Sequence, residues 1–377
     1  MRLFLTVFVL VLFSTANGQS RKRASELGIR IGVMQPGKLN SITDVKGVLV
    51  GHTTLIKADS IRTGVTAILP HEGNLFQQKV PAAIYVGNGF GKLAGITQVK
   101  ELGNIESPVI LTNTLGVATA INAVITYTIA QKGNENVQSV NAIVGETNDG
   151  YLNDIRGRHV KEEDVLQAIR NASGNSVAEG NVGAGTGTIC FDFKGGIGTA
   201  SRVLPEKLGG YTVGVLVQTN FGGVLSIDGI PVDKEWKRYP YYEMLKDKAD
   251  GSCMIVVATD APLDARNLER LAKRAFMGLA RTGGIASNGS GDYVIAFSTN
   301  TGLRIAHNAS TTNMQNVLSN DAVTPLFMAT IEASEEAIIN SMLKAETMKG
   351  KNGRVIEALP LEELRKVFLK YNRILKL

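Results

Sequence analysis

A serine stands in a glycine-rich turn directly before a strongly apolar segment of this 377-residue chain. The stretch reads ASNGSGDYVIAFST, and Ser290 precedes the aromatic and β-branched run at 293–297. Such a run is typical of a buried strand, and the Asn, Gly and Asp residues before it are typical of a turn. Ser290 is therefore either an ordinary turn residue or a nucleophile at the first residue of a strand, with glycines clearing space around it.

Polar side chains also stand where other apolar segments end. Glu146 follows NAIVG, where it could pair with a substrate cation or be a solvated loop residue. Asn220 ends VLVQTN, and its amide could donate to an oxyanion or cap a turn. Ser334 and Glu336 would point to different faces of a continuous helix, so they converge only if a helix begins or is broken there. A helix N-cap serine followed by acidic residues explains the same pattern without function.

Other chemistries find little support in the sequence. The four histidines are far apart, with no i,i+4 or C-x-x-C partner, so we predict no metal site and no cofactor. The sequence contains no G-x-S-x-G elbow, so a Ser-His-Asp triad is not indicated. GNGFGKLAG and NVGAGTGT match neither the P-loop nor the dinucleotide fingerprint. NVGAGTGT is either a turn of closely packed backbones or a pocket wall of backbone N–H groups.

The rest of the chain must supply the elements that position these residues. A hydrophobic content of 44% with 20% charged residues is ordinary for a globular protein with a sizeable core. Apolar strand-like segments recur along it: GVLVGH, VTAILP, AAIYVGNG, PVILTNT, NAIVGET, YTVGVLVQTNFG, CMIVVATD and YVIAFST. Helical patterns begin near Asp260, with Pro262 in the first turn, at Thr324 and in LEELRKVFLKY. The mixture predicts layered sheets and helices in one domain, with 233–252 as a surface insertion.

The N-terminus predicts a cleavable secretory signal. Arg2 precedes an apolar region too short to span a membrane, and 16–18 form a small-x-small cleavage site. We therefore expect 1–18 to be removed and 19–377 to be a single periplasmic or secreted domain; the alternative is a buried N-terminal helix or an uncleaved anchor. The basic excess of +6 is diffuse and lacks interleaved aromatics, so nucleic-acid binding is not indicated. Cys190 and Cys253 lie in apolar segments, where buried free thiols are expected although secretion would permit a disulfide.

A family resemblance is carried by six stretches together: VGETND, GAGTGTICFDFKGGIGTASR, VLVQTNFG, VVATDAPL, SNGSGD and EASEEAI. This set resembles the family of L-aminopeptidase D-amidase/D-esterases and β-peptidyl aminopeptidases. The likeness extends from Leu39 to the end of EASEEAIINSML. It implies an α+β fold, a four-layer αββα sandwich of the N-terminal-nucleophile-hydrolase-like kind, in a precursor that cuts itself.

The resemblance also implies roles for single residues. Ser290 matches the nucleophile and Gly289–Ser290 the self-cleavage bond, which would leave pieces 19–289 and 290–377. Glu146 matches the carboxylate that binds the free amine of the substrate, and Asn220 matches an oxyanion donor.

Two further matches complete the implied site. Ser334 and Glu336 match residues that support the nucleophile; whether they or the terminal amine of Ser290 provide the base stays open. Asn148 stands where some members carry tyrosine, so the polar contacts around the scissile carbonyl are expected to differ.

The activity implied is that of a self-processed serine aminopeptidase or amidase that forms an acyl-enzyme on Ser290. Its substrates would be small peptides, amides or esters with a free amine, and L-α, D and β N-terminal residues all stay open. We expect a homo-oligomer of αβ units, with neither nucleic-acid nor membrane partners after signal removal. One alternative is an ornithine acetyltransferase-like enzyme, although that relative uses a threonine nucleophile. The other is a non-catalytic periplasmic binding protein, which would stay one intact chain.

Overall fold

The computed structural model describes residues 21–239, 251–309 and 315–377. The predicted signal peptide, 1–18, lies outside the described residues, and so does most of the predicted insertion. Within the described ranges, no helix is long and apolar enough to cross a membrane.

Two large β-sheets form the centre of the molecule. The first contains, in spatial order, β1 (Leu49–Lys57), β2 (Ile61–Leu69), β6 (Val109–Asn113), β7 (Ile143–Thr147) and β4 (Leu93–Ala94). The second contains β10 (Ile197–Val203), β11 (Thr212–Asn220), β12 (Ser252–Thr259), β13 (Gly291–Ser298), β3 (Gln78–Gly89) and β14 (Ile305–Ala306), and β5 (Asn104–Ile105) also pairs with β3. Neighbouring strands are antiparallel except β6–β7 and β12–β13, which are parallel. Two short ladders join β8 (Ile189–Cys190) to β9 (Phe193–Lys194) and β15 (Met348–Lys349) to β16 (Val355–Ile356).

Helices cover the outer faces of both sheets. The helices of the described chain are α1 (Ile96–Leu102), α2 (Val117–Ile129), α3 (Glu162–Arg170), α4 (Val232–Trp236), α5 (Ala265–Arg281), α6 (Thr324–Leu343) and α7 (Leu361–Lys370). Helix α1 is the exception, since its Val99 packs into the core between the sheets. One apolar core lies between the first sheet and α2 with α3, and another lies between the second sheet and α5 with α6. A third core fills the space between the sheets. The predicted four-layer αββα sandwich is therefore confirmed.

Strand β13 is buried on both faces, which explains its continuous apolar sequence. Ile295 and Phe297 pack between the sheets, while Val294 and Ala296 face the layer of α5 and α6. Because β12 and β13 are parallel, the chain between them must cross over one face of the sheet. Helix α5 makes this crossover and delivers the chain to the turn that contains Ser290.

All eight segments expected to be strands are strands, but some boundaries differ, and the helices α1 to α4 and several short strands were not predicted. Helix α5 begins at Ala265, later than expected, because the Asp264 side chain caps it by accepting from Asn267 N at 2.8 Å. The expected surface insertion is anchored at its start, since Asp233 is buried and its Oδ2 accepts from Leu225 N at 2.7 Å. Strand β10 was not predicted, because IGTASRV has no apolar run.

Candidate active site

Ser290 lies at the junction between an exposed turn and the core. Asn288 and Gly289 form the turn, and β13 begins one residue after Ser290. Ser290 is 1% exposed, and its Oγ has no hydrogen-bond partner within the described residues. A buried hydroxyl without a partner is costly in a purely structural role, so Ser290 is a candidate reactive group.

Gly291 fixes Ser290 in the middle of the second sheet. Its N donates to Gly251 O at 3.1 Å and to Ser252 Oγ at 3.2 Å. On its other side, a methyl group at Gly291 would lie 2.8 Å from Phe90 O. Only glycine permits so close an approach of two backbones, which explains the glycine after the candidate nucleophile.

Glu146 stands at the end of β7 in the opposite sheet, and its side chain is 3% exposed. Its Oε1 accepts from Lys92 N at 3.0 Å, and its Oε2 accepts from Thr114 Oγ1. A methyl group at Gly91 would lie 3.3 Å from Glu146 Oε1 and 3.2 Å from Gly291 Cα. One methyl-sized position therefore separates the carboxylate from the residue that follows Ser290.

Asn220 ends β11, two strands from Gly291 in the same sheet. It lies opposite Ser252 on β12, and Ser252 in turn lies opposite Gly291 on β13. Its Oδ1 accepts from Ile189 N at 3.0 Å, whereas its Nδ2 makes no hydrogen bond within the described chain. The amide is thus oriented by its oxygen and has its N–H groups uncommitted.

Ser334 and Glu336 lie in the middle of the continuous helix α6, so the interpretation of Ser334 as a helix N-cap is wrong. Ser334 Oγ is buried and has no hydrogen-bond partner among the described residues. The Glu336 carboxylate accepts from Asn40 Nδ2 at 2.6 Å and pairs with the buried Arg202 at 2.7 Å. It also borders a cavity of about 420 Å³ formed with the segment 25–36. No hydrogen bond joins Ser334, Glu336 and Ser290 in the described structure.

Asn148 lies at the edge of this arrangement, exposed in the turn after β7. Its Oδ1 accepts from Gly150 N at 2.9 Å and so shapes the turn.

Sequence reasoning missed Asp292, which shares a strand face with Ser290 because the two are two positions apart in sequence. The side chain is buried, and burial raises the pKa of Asp292 to about 6. The nearby Ser290 hydroxyl lowers the pKa of Asp292 and so partly offsets the effect of burial. Its contact is not a hydrogen bond of normal geometry, and neither oxygen of the Asp292 carboxylate has a hydrogen-bond partner among the described residues. The pKa of Tyr293 is raised chiefly by burial, and the negative charges of Glu146 and then Asp292 raise it further.

Three further expectations concern the cysteines, metal ligands and the NVGAGTGT stretch. Cys190 and Cys253 are both buried free thiols, as expected. Among the described residues, no group of three or more His, Cys, Asp or Glu side chains is arranged to hold a metal ion. The NVGAGTGT stretch packs closely against its neighbours, since a methyl group at Gly185 would lie 2.4 Å from Ile197 N.

Comparison with known proteins decides the family. The sequence profile of peptidase family S58 matches residues 40–356. The chain belongs to peptidase family S58. Over 394 aligned residues it is 40% identical to the β-peptidyl aminopeptidase BapA of Sphingosinicella microcystinivorans, and the alignment covers 97% of this chain and 96% of that protein.

Solved structures agree with this membership of family S58. The PH0078 protein of Pyrococcus horikoshii OT3 superposes with a TM-score of 0.87 at 51% identity, covering 93% of this chain and 100% of that one. The L-aminopeptidase D-Ala-esterase/amidase of Ochrobactrum anthropi superposes with a TM-score of 0.86 at 35% identity, covering 94% of this chain and 100% of that one. That protein is a serine aminopeptidase described as a variant of the Ntn-hydrolase fold. This S58 protein is thus a hydrolase of the aminopeptidase class with an Ntn-hydrolase fold.

Proposed function

We propose that this S58 aminopeptidase is made as a precursor, cuts its own Gly289–Ser290 bond, and then uses Ser290 to release N-terminal residues from short peptides, amides or esters. One arrangement carries the proposal. The Ser290 hydroxyl is buried at the start of a core strand without a partner among the described residues, and a methyl group at Gly91 would lie within 3.3 Å of both the following residue and the Glu146 carboxylate. A nucleophile and an amine-binding carboxylate at this spacing suit an enzyme that acts on the first residue of a chain.

The self-cleavage step is an N-to-O acyl shift. Ser290 Oγ attacks the Gly289 carbonyl carbon, the C–N bond breaks, and the amide nitrogen takes up the proton that the hydroxyl loses. Water then hydrolyses the ester, which leaves a Gly289 carboxylate and a free amine on Ser290. The two pieces are 19–289 and 290–377.

The new terminal amine is the favoured base for turnover. Its pKa of ~8 lies near the operating pH, and it sits beside its own hydroxyl. The competing route through Ser334 and Glu336 has less support, because the Glu336 carboxylate is hydrogen-bonded to Asn40 and ion-paired with Arg202.

In turnover, Glu146 would bind the substrate ammonium, and Asn220 would donate to the oxyanion that forms on the scissile carbonyl. Thr114 and the Lys92 backbone orient Glu146, which supports a fixed amine position. The relatives are named for β-peptidyl and for L-aminopeptidase and D-Ala-esterase/amidase activities. We therefore propose substrates with L-α, D or β N-terminal residues and a free amine.

Two expectations beyond the described residues are part of the proposal. Arg2, the apolar region after it and the small residues 16–18 support export and removal of 1–18. Assembly of αβ units into a homo-oligomer stays a prediction.

The role of Glu146 is tested with a short peptide offered with a free or an acetylated N-terminus. The wild type should release the first residue only from the free peptide. Glu146→Gln should lower kcat/KM for the free peptide at least ~30-fold, because losing one partner of a buried charged pair costs ~2–5 kcal/mol.

Self-cleavage should survive Glu146→Gln, because the precursor presents no free amine at this position. Equal hydrolysis of the free and acetylated peptides by the wild type would contradict the assignment.

A further inference from the structure

Asn88 holds the turn that precedes Ser290 with a single side-chain nitrogen. It lies near the end of β3, opposite Asp292 on β13. Its Nδ2 donates to Ser287 O at 3.0 Å, to Asn288 O at 3.2 Å, and also to Ser290 O. Since an amide nitrogen carries two hydrogens, three carbonyl groups share them, and the backbone must fold around this one atom.

The carbonyl group that Asn88 leaves out is that of Gly289. Ser287 O accepts a second bond from Ser290 N at 2.9 Å, and Ser290 O accepts a second from Phe90 N at 3.2 Å. Gly289 O accepts no hydrogen bond from any described residue. Among the carbonyl groups of Ser287 to Ser290, the one at the proposed scissile bond is therefore the one that no described residue binds.

We propose that Asn88 is a positioning residue for self-cleavage. It fixes the carbonyl groups on both sides of Gly289 and leaves the Gly289 carbonyl carbon open to attack by Ser290 Oγ. The inference rests on the proposed self-cleavage and adds a residue to it. Holding two reacting groups in an attack geometry is a large part of any intramolecular acceleration, and small misplacements cost about 10²-fold.

The role belongs chiefly to the precursor. The bonds to Ser287 and Asn288 join Asn88 to the piece that would end at Gly289, whereas the bond to Ser290 joins it to the piece that begins there. After cleavage the new carboxyl terminus can leave the site, and Asn88 keeps only its bond to Ser290. Substitutions at Asn88 should therefore slow maturation more than they slow turnover by enzyme that has matured.

The test follows self-cleavage by intact mass after cell-free synthesis with protease inhibitors present. Asn88→Ala should slow the appearance of the two pieces ~10–100-fold. Asn88→Asp should be slow at neutral pH, because a carboxylate faces three carbonyl oxygens. It should recover relative to the wild type in acid, because a protonated carboxyl group donates a hydrogen bond.

Asn74→Ala is the matched control. Asn74 is also half-buried and holds the turn before the opposite end of the same strand, with Nδ2 donating to Lys132 O at 3.2 Å and Oδ1 accepting from Phe76 N at 3.1 Å. This variant should mature at the wild-type rate even if its thermal stability falls.

Two results would overturn the inference about Asn88. One is maturation of Asn88→Ala at the wild-type rate. The other is a maturation of Asn88→Ala that is slowed only as much as its loss of thermal stability explains, with Asn74→Ala as the reference, together with a maturation of Asn88→Asp that does not recover in acid. A wild-type protein that hydrolyses peptides as a single chain would instead contradict the proposed self-cleavage itself.

Discussion

At the scale of single residues, the site depends on polar groups whose hydrogen bonds are only partly used. Asn220 is the clearest case, since its Oδ1 accepts from Ile189 N and its Nδ2 makes no hydrogen bond to any described residue. The same side chain could therefore serve as a structural cap, as an oxyanion donor, or as both.

Asn220→Asp separates these two roles. The aspartate keeps an oxygen for Ile189 N but replaces the donor with a negative charge. We expect kcat to fall by at least ~10²–10³, the usual cost of losing one oxyanion donor, with thermal stability little changed. Steady-state kinetics on mature enzyme measure this, and full activity in the variant would exclude an oxyanion role.

Asp292 gives a pH-dependent prediction. Burial raises its pKa from 3.8 to about 6, so between these values the folded protein holds a proton that the unfolded chain has lost. This contribution to stability is present below about pH 4 and is lost as the pH rises through about 6.

The comparison uses Ser290→Ala, which keeps the chain in one piece, with and without Asp292→Asn. From about pH 4 to about pH 7.5, the free energy of unfolding of Ser290→Ala should fall by ~1–3 kcal/mol more than that of the double variant, which also carries Asp292→Asn. Chemical unfolding at both pH values measures the difference, and other titrating groups cancel. Parallel pH profiles would show that Asp292 titrates normally.

At the scale of elements, the site exists because the ends of β7 and β13, from different sheets, meet at Gly91. A methyl group there would lie 3.2 Å from Gly291 Cα and 3.3 Å from Glu146 Oε1. These contacts are tight, but small shifts of the neighbouring atoms relieve them. Gly91→Ala should therefore fold and lower kcat/KM about tenfold by narrowing the space between amine site and nucleophile.

Gly89→Ala is the matched control for this substitution. Its methyl group would make only an ordinary contact, 3.7 Å from Val86 Cγ1. Equal kinetic parameters for the two variants would show that the space at Gly91 is not used by substrate.

Sequence patterns predicted these elements better than they predicted the contacts between them. Apolar runs identified β7, β11 and β13, because strands buried on both faces need such runs. The six stretches together predicted Ser290 and Glu146 as a pair. The role of Asn88 could not be seen, because an Asn-Gly at a strand end has the composition of any turn, and its contacts depend on a pairing of β3 with β13 about two hundred residues away in sequence.

At the scale of the whole molecule, the fold explains how the two pieces of a cleaved chain could stay associated. Strand β13 lies inside the second sheet between β12 and β3, and α6 packs on the outer face of the same sheet. Neither element can leave without exposing a core shared with the rest of the chain. The pieces 19–289 and 290–377 should therefore co-purify without denaturant.

Every role proposed for Ser290 depends on cleavage of the Gly289–Ser290 bond, and the intact mass and N-terminal sequence of the purified protein show whether that bond is cut. From the average residue mass of the 40.3 kDa chain, the two pieces should be about 29 and about 9 kDa. The smaller piece should read Ser-Gly-Asp-Tyr-Val, and Ser290→Ala should stay a single inactive chain. A fully active protein of one uncut chain, with no serine at an N-terminus, would contradict the account.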